Sequence, residues 1–431
     1  MKRLGIMKET KNRWERRVPL NPQTVKNLTD QGYQVTIQPS ETRIYKNEAY
    51  LNAGAELNED LSNCDLIMGV KEIPITGIIP GKPHLFFSHT IKGQDYNMPL
   101  LQHVLDNGST LMDYEKIINS EGKRLVFFGK FAGNAGMVDA LWAAGQRYLQ
   151  EYGIETPFLK VKQSYQYESL QQCLEELQEI GKEIERDGLP AEICPFNICL
   201  LGYGNVSIGC QEILKAFPIT EVEPDSLADL EINHKSNSMY LAVIKEEHLV
   251  EKKDGSEFSL SDYFVNGIEY KSKMEQYLPY CTMYMSGIYW ASGYPVFLKN
   301  SELGKLQGKQ QKLIMIGDIT CDIEGSIEAT RKVTMPDNPV FIYNPETDGL
   351  TDGFKGAGFA VCAIDNLPCE FPQEASDFFN SRLAEFVPAM LDNDYSQPIA
   401  NSTLPTEMQP AVIARLGKLE DRYQYLEEFL K

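Results

Sequence analysis

The chain has 431 residues, 42% of them hydrophobic and 24% charged, which suits two or three globular domains and excludes disorder over most of the length. With 61 acidic against 41 basic side chains the formal charge is −20, and non-specific nucleic-acid binding, which needs a basic face, is excluded. No run approaches the ~18 apolar residues of a membrane span, and the MKRLGIMKETK start lacks the apolar segment of a signal peptide.

In chain order, Leu4–Met7 reads as a short strand, and Asn21–Gln31 as a helix with proline in its first turn, ended by Gly32. Tyr33–Gln38, Cys64–Val70, His84–Ser88, Thr110–Asp113 and Leu125–Gly129 are strand candidates, with a helix over Met98–Asp106. Strands alternating with helices at this spacing predict a layered α/β domain. A long helix follows over Ala135–Tyr152, then a charged amphipathic helix over Glu168–Arg186 with a solvated face. Pro190 and Pro195 precede a second α/β pattern that begins at Phe196. Residues 225–275 are polar and irregular, as in an insertion or an elaborated crossover. Strand-like runs resume at Leu313–Gly317, Val340–Tyr343 and Phe359–Ala363, and Ala375–Lys431 reads as helices punctuated by prolines.

Nine cysteines lie scattered between Cys64 and Cys369 without a C-x-x-C spacing, and the five histidines form no H-E-x-x-H. No metal site is expected, and a reduced, cytoplasmic protein is.

The clearest local signal is Phe196–Gly209, FNICLLGYGNVSIG. An apolar strand runs into Gly202-x-Gly204 and then into helix-forming residues, the context in which backbone amides and a helix N-terminus face a pyrophosphate. The spacing departs from G-x-G-x-x-G, since position 207 is serine and the next glycine is Gly209. An ordinary βα turn would read similarly. Glu221 and Glu223, about 20 residues on, are candidates for a ribose hydroxyl and would favour NAD over NADP.

A second constellation lies in the N-terminal part, where charge is locally balanced: residues 1–150 hold 18 basic and 16 acidic side chains, against 23 and 45 in the remainder. Lys71 and Glu72 follow LIMGV, His89 follows HLFFS, and Asp113 and Glu115 end the next strand. Each would sit at the carboxyl end of a strand, where open α/β sheets place ligands. A lysine, a histidine and a carboxylate in one place suit proton transfer during reduction of a carbonyl or imine. Arg17 and Arg124 are candidate carboxylate clamps, with structural ion pairing an equal alternative. Asp318, Asp322 and Asp365 also follow apolar runs, where a helix N-cap explains each singly.

Several blocks resemble the saccharopine dehydrogenase and alanine dehydrogenase superfamily, most closely the lysine–ketoglutarate reductase part of aminoadipic semialdehyde synthase. They include KETKNRWERRVPLNP (8–22), GVKEIP (69–74), FFSHTIKGQ (86–94), LMDYEKI (111–117), FGKFAGNAGM (128–137), LGYGNVSIG (201–209), SGIYW (286–290), GDITCDIEGSIE (317–328) and AIDNLPCEFPQEAS (363–376), in order from about residue 3 to residue 390. The resemblance implies two Rossmann-like, doubly wound α/β domains with a cleft between them, the first discontinuous. These would be a substrate domain over 1–140 plus 365–431 and an NAD(P) domain over 141–364, with its insertion near 225–275. It implies NAD(P)-linked formation or cleavage of saccharopine, with lysine and 2-oxoglutarate as small-molecule partners and room for a homo-oligomer. By matching positions, Lys71 and His89 become the proton-transfer pair, and Arg17, Glu72, Gln94, Glu115, Arg124 and Phe128 the substrate-site residues. Gly202, Gly204, Asn205, Val206, Glu223, Asp318, Ile364, Asp365, Asn366 and Leu367 become the nucleotide-site residues. The branch with the insertion points to NADPH and Glu223 to NADH, so the cofactor is written NAD or NADP. An alanine dehydrogenase, an opine-type reductase or a silent nucleotide-binding regulator are the alternatives.

Overall fold

A computed structural model describes residues 1–308 and 312–430 and divides the chain into two compact units, Met1–Phe128 with Pro372–Lys431, and Gly129–Phe371. The crossings thus fall at 128/129 and 371/372 instead of 140/141 and 364/365. The first moves because Leu125–Gly129 forms no strand: a helix begins at Gly129 and runs to Arg147. The apolar residues that suggested the strand are used by ring contacts instead, Phe127 on Phe378 and Phe128 stacked on Phe379 at 4.4 Å and 8°.

The first unit opens with six strands: β1 (Arg3–Ile6), β2 (Gln34–Ile37), β3 (Glu56–Leu57), β4 (Leu66–Met68), β5 (Pro83–Phe86) and β6 (Thr110–Asp113). They lie parallel in the order β3-β2-β1-β4-β5-β6, the doubly wound arrangement. The helix Pro22–Asp30 starts as its sequence requires, with the Asn21 side chain accepting the Thr24 N–H and proline in the first turn. Winding reverses between β1 and β4. The carboxyl ends of β1, β4, β5 and β6 are therefore the favoured ligand edge.

The second unit carries β7 (Phe196–Leu201), β8 (Ile219–Glu221), β9 (Met239–Ile244), an antiparallel pair β10 (Val250–Lys252) and β11 (Tyr270–Ser272), then β12 (Met283–Ser286), β13 (Met315–Asp318), β14 (Val340–Asn344), β15 (Gly349–Asp352) and β16 (Phe359–Cys362). Its main sheet has the order β15-β14-β16-β13-β12-β7-β9-β8. The expectation of an irregular stretch over 225–275 is corrected at β9, whose apolar run MYLAVI is a strand paired with β7 along all six residues. Polar flanks on both sides concealed it. β9 also displaces β8 to the sheet edge, three pairs short of the glycine turn: Glu221 pairs with Leu241, whereas Leu201 pairs with Ile244.

The helices Gly129–Arg147 and Asn205–Leu214 touch backbone to backbone. A Cβ on Gly133 would lie 1.9 Å from the Val206 carbonyl oxygen, and one on Gly209 2.0 Å from that of Lys130. Close packing behind the glycine turn is thus done by Gly209, two residues beyond the serine that breaks the motif.

After Phe371 the chain returns to the first unit through the helices Pro372–Leu383 and Val387–Asp392. The tail is not all helical as expected. β17 (Val412–Arg415) adds antiparallel to β6, and β18 (Lys418–Leu419) to β17. Ile413 and Ala414 join Phe86, Leu101, Val104 and Leu111 in the core there.

In the second unit the buried carboxyls of Asp139 and Glu370 face each other, and the Ser164 N–H donates to Asp139 at 2.8 Å. Burial pushes Asp139 up to about 6 and Glu370 well above the carboxylate range. Both shifts mean that the folded state holds protons more tightly than the unfolded one. Their stabilisation is therefore present in acid and lost as pH rises through about 6.

Two stability measurements test this packing. Gly209→Ala is expected to cost about 1–3 kcal/mol in denaturant melts through overpacking of the helix pair, and an unchanged midpoint would refute the backbone contact. Glu370→Gln supplies an amide donor to ionised Asp139. Its melting temperature relative to the wild type should therefore rise between pH 5 and pH 8, worth about 2 kcal/mol at the upper end, and a pH-independent difference would contradict the shared proton.

Candidate active site

Three loops at the carboxyl edge of the first sheet build a cluster around Lys71. The loop after β4 is pinned by Glu9, which follows β1: its carboxylate accepts the Val70 N–H at 2.7 Å and the Lys71 N–H at 3.0 Å. From the other side the Tyr114 hydroxyl donates to the Gly69 carbonyl at 2.9 Å. Burial, then the neighbouring Glu15, pushes Glu9 up to about 7, against the two N–H donors and Arg17. The Lys71 ammonium is held below the usual lysine range by burial first, then by Arg17 and Lys11, with Glu72 and Glu15 opposing.

His89 follows β5 in a left-handed conformation, φ +53°, unusual for a side chain this size. The strain is compensated locally: the Asn97 side-chain amide donates to the His89 carbonyl at 3.2 Å, and Phe87 stacks on the ring at 6.1 Å and 17°. The ring stands between two carboxylates, Nε2 3.6 Å from Glu72 and Nδ1 3.8 Å from Glu115. Burial and then the Lys71 charge lower its pKa, while Glu72 and Glu115 pull it back up. At neutral pH the imidazole is therefore predominantly uncharged.

The loop after β6 is tied to that of β5 by Asp113, which accepts the Ser88 N–H at 2.9 Å, the Ser88 hydroxyl at 2.5 Å and the Glu115 N–H at 2.8 Å. Burial and Glu115 raise Asp113 to about 6. Arg124 donates to Glu115 at 3.0 Å. Arg17 is buried and bidentate to Glu15, at 2.8 and 2.6 Å, with its guanidinium 4.1 Å over the Phe128 ring. Phe128 itself rests on Phe379.

The structure therefore brings together Arg17, Lys71, Glu72, His89, Glu115, Arg124 and Phe128. Gln94 lies on the exposed turn beyond, where its side-chain oxygen accepts from Tyr96, and among the described residues it has no hydrogen bond to the cluster. Sequence reasoning missed Glu9, Lys11 and Glu15. Glu9 was detectable, since it stands three residues beyond a strand end on the ligand edge.

In the second unit the candidate nucleotide residues gather at the carboxyl ends of β7, β13 and β16. Gly202 is left-handed, φ +86°, and a Cβ there would strike Ile288 at 2.8 Å. At Gly204 a Cβ would meet open space, and the ten-residue helix beginning at Asn205, with Val206 next, presents its N-terminal N–H groups there. Bare backbone before a helix N-terminus fits a dinucleotide pyrophosphate. Asp318 is buried and accepts from the Thr320 N–H and hydroxyl, the Cys321 N–H and the Thr330 hydroxyl, so it shapes its loop. Cys321 bridges to the neighbouring loop, its thiol donating to the Ile364 carbonyl at 3.1 Å. In that loop the Asp365 N–H donates to Thr334, Asn366 is left-handed and Leu367 is buried. Glu223 stands apart, exposed beyond the edge strand β8.

Residues 5–135 match the family model of the alanine dehydrogenase/PNT N-terminal domain. An L-alanine dehydrogenase structure superposes over 100% of both chains with a TM-score of 0.62 at 16% identity, a likeness of fold. The N-terminal part of the chain is thus similar to that domain, and its fold to that of an alanine dehydrogenase.

In sequence the chain is similar to aminoadipic semialdehyde synthases and to saccharopine dehydrogenases. It is 38% identical to the α-aminoadipic semialdehyde synthase of Arabidopsis thaliana over 99% of this chain and 41% of that protein. It is 25% identical to the saccharopine dehydrogenase [NAD(+), L-lysine-forming] of Emericella nidulans over 86% of this chain and 87% of that one. The chain thus spans less than half the length of the synthase it matches. Among the described residues no helix is long and apolar enough to cross a membrane.

The His89 environment has a direct check. Its NMR titration midpoint should fall below that of a free histidine, and Glu115→Gln should lower it further, because a carboxylate that favours the imidazolium is removed. An upward shift in that variant would mean the geometry around His89 is wrong.

Proposed function

We propose that this protein is an NAD(P)-dependent oxidoreductase that forms or cleaves saccharopine, joining the ε-amine of L-lysine to the keto carbon of 2-oxoglutarate. The observation that carries this reading is the placement of Lys71 and His89 at neighbouring strand ends, both with lowered pKa values and both flanked by glutamates. Kinship with saccharopine dehydrogenases supplies the substrate class.

The chain's own residues do the following in this reading. The lysine substrate arrives as an ammonium and must lose a proton before its nitrogen can attack. Lys71, with its depressed pKa, accepts that proton and becomes an ammonium, which Glu72 and Glu15 accommodate. The resulting carbinolamine loses water when a proton reaches its hydroxyl. The imidazolium form of His89, which Glu72 and Glu115 favour against burial and Lys71, delivers it, and the ring is then reprotonated from solvent. Arg17 and Arg124, each held by a glutamate, supply the positive field for the dicarboxylate, and Phe128 fixes the plane of the Arg17 guanidinium. A bound nicotinamide dinucleotide, NAD or NADP, supplies the hydride that reduces the imine. Gly202, Gly204, Asn205 and Val206 would cradle its pyrophosphate, and Ile364–Leu367 would line the adjoining wall. In this assignment the first unit is the substrate domain and the second the nucleotide domain.

The decisive assay follows absorbance at 340 nm with 2-oxoglutarate, NADH or NADPH, and lysine, alanine, ornithine or ammonia as the amine. Lysine-dependent oxidation is expected, and turnover confined to another amine would overturn the substrate assignment. Lys71→Met should lower kcat by about 10²–10⁴-fold. In the wild type the rate should rise with pH as Lys71 deprotonates, with a midpoint below that of an ordinary lysine, and this limb should vanish in the variant. Full turnover by Lys71→Met would remove the lysine from the mechanism.

A further inference from the structure

We propose that the segment Asp421–Phe429 is a clasp on the turn that carries His89, and that Tyr425 and Phe429 are positioning residues for its proton transfer. This rests on the reading of His89 as the proton donor, and the segment and the turn both belong to the first unit. The two aromatic residues act on His89 through the turn, not on the reacting atoms.

The backbone after β5 is what calls for a clasp. Thr90–Lys92 is a single 3-10 turn bracketed by two left-handed residues, His89 at φ +53° and Gly93 at φ +64°. Glycine takes that conformation freely, whereas a histidine keeps it only where its surroundings hold it in place. On the side of the site the turn is held through Ser88. The Thr90 N–H donates to the Ser88 hydroxyl oxygen at 3.3 Å, and that hydroxyl donates to Asp113 at 2.5 Å. The other hold comes from residues more than 300 positions away. The Tyr425 hydroxyl donates to the Ile91 carbonyl at 2.6 Å. At the far end of the turn the Phe429 ring covers Gly93, where a Cβ would lie 2.7 to 2.8 Å from three ring carbons. The ring thus rests on a bare Cα.

The segment has its own anchor, separate from these two contacts. Tyr423 and Leu426 are buried in the core with Phe86, Leu101 and Ile413. The Tyr423 hydroxyl donates to the Pro410 carbonyl at 2.5 Å, and Arg415 pairs with Glu420 at 2.9 Å just before the segment begins. Tyr425 and Phe429, by contrast, are 46% and 39% exposed, so changing them leaves that core intact. Losing their contacts lets His89 relax to negative φ and carries its ring out from between Glu72 and Glu115.

The test uses mild substitutions in the whole protein. It reads the NMR titration of His89, assigned by its loss in His89→Gln, together with kcat and KM. Tyr425→Phe removes one hydroxyl. It should raise the His89 midpoint toward the ordinary value of about 6.5, as the ring leaves its buried place beside Lys71, and lower kcat about fivefold with KM unchanged. Adding Phe429→Ala should extend both changes, to at least about tenfold in kcat. Gly93→Ala should give the same signature from the side of the turn, and a smaller one when Phe429 is already alanine, because both substitutions act on one contact. Gln424→Ala, in the same segment with its amide on Asp421, should alter neither reading. A lowered melting temperature with the His89 midpoint unmoved would overturn the proposal and reduce the segment to packing. So would a fall in kcat without that movement. A midpoint that moves as expected, in a protein whose wild type turns over no amine, would keep the clasp and remove the saccharopine reading.

Discussion

One carboxylate organises the cluster in the first unit. Glu9 leaves β1 and accepts two consecutive backbone N–H groups from the loop that leaves β4, so the two strands on either side of the winding reversal are joined at their ends. Without an acceptor there, the Val70 and Lys71 amides would be orphaned in a buried loop, at a cost comparable to losing both bonds. With it, the Lys71 backbone is fixed, and its side chain starts from a defined point beneath Arg17, Lys11, Glu15 and Glu72. The energetics are balanced: burial and Glu15 work against the charge on Glu9, and the two donors and Arg17 work for it.

The same logic repeats outward. Asp113 joins the ends of β5 and β6 as Glu9 joins those of β1 and β4, again with a buried carboxyl facing backbone and hydroxyl donors. Lys71 and His89 are thus carried on loops whose backbones are crosslinked by two acids, Glu9 and Asp113, that accept from backbone N–H and hydroxyl groups. Charges alternate around the pair: Glu15 holds Arg17, Glu115 holds Arg124, and Glu72 lies between Lys11 and His89. Such an arrangement leaves no single buried charge isolated.

Much of this was legible in the sequence because parallel strands are short, apolar and followed by their functional residues. LIMGV-KE, HLFFS-H and TLMD-YE each placed a strand and a chemical group together, and the structure keeps them at one edge. What escaped detection had a physical reason. β9 was hidden because its six apolar residues sit between polar segments that dominated the reading of 225–275. The Phe127–Phe128 pair mimicked a strand because aromatic residues satisfy sheet and ring packing alike. Glu15 depends on a partner two residues away whose buried, bidentate geometry has no sequence signature. Gln94 was carried by resemblance alone and stands outside the cluster's hydrogen bonds.

The return of the chain to its first sheet has a consequence for synthesis. Residues 1–128 emerge from the ribosome with β6 at the sheet margin, its backbone donors and acceptors on one side unmatched, and the strand that covers them, β17, begins only at Val412. Some 280 residues, about 14–56 s of translation at 5–20 residues per second, separate the exposed margin from its cover. The interposed unit, Gly129–Phe371, is contiguous and has every strand of its sheet by Cys362, so the later-made half is complete before the earlier-made one. During that interval β6 is a free pairing edge of the kind that recruits neighbouring chains, which makes the nascent protein a client for whatever shields such edges.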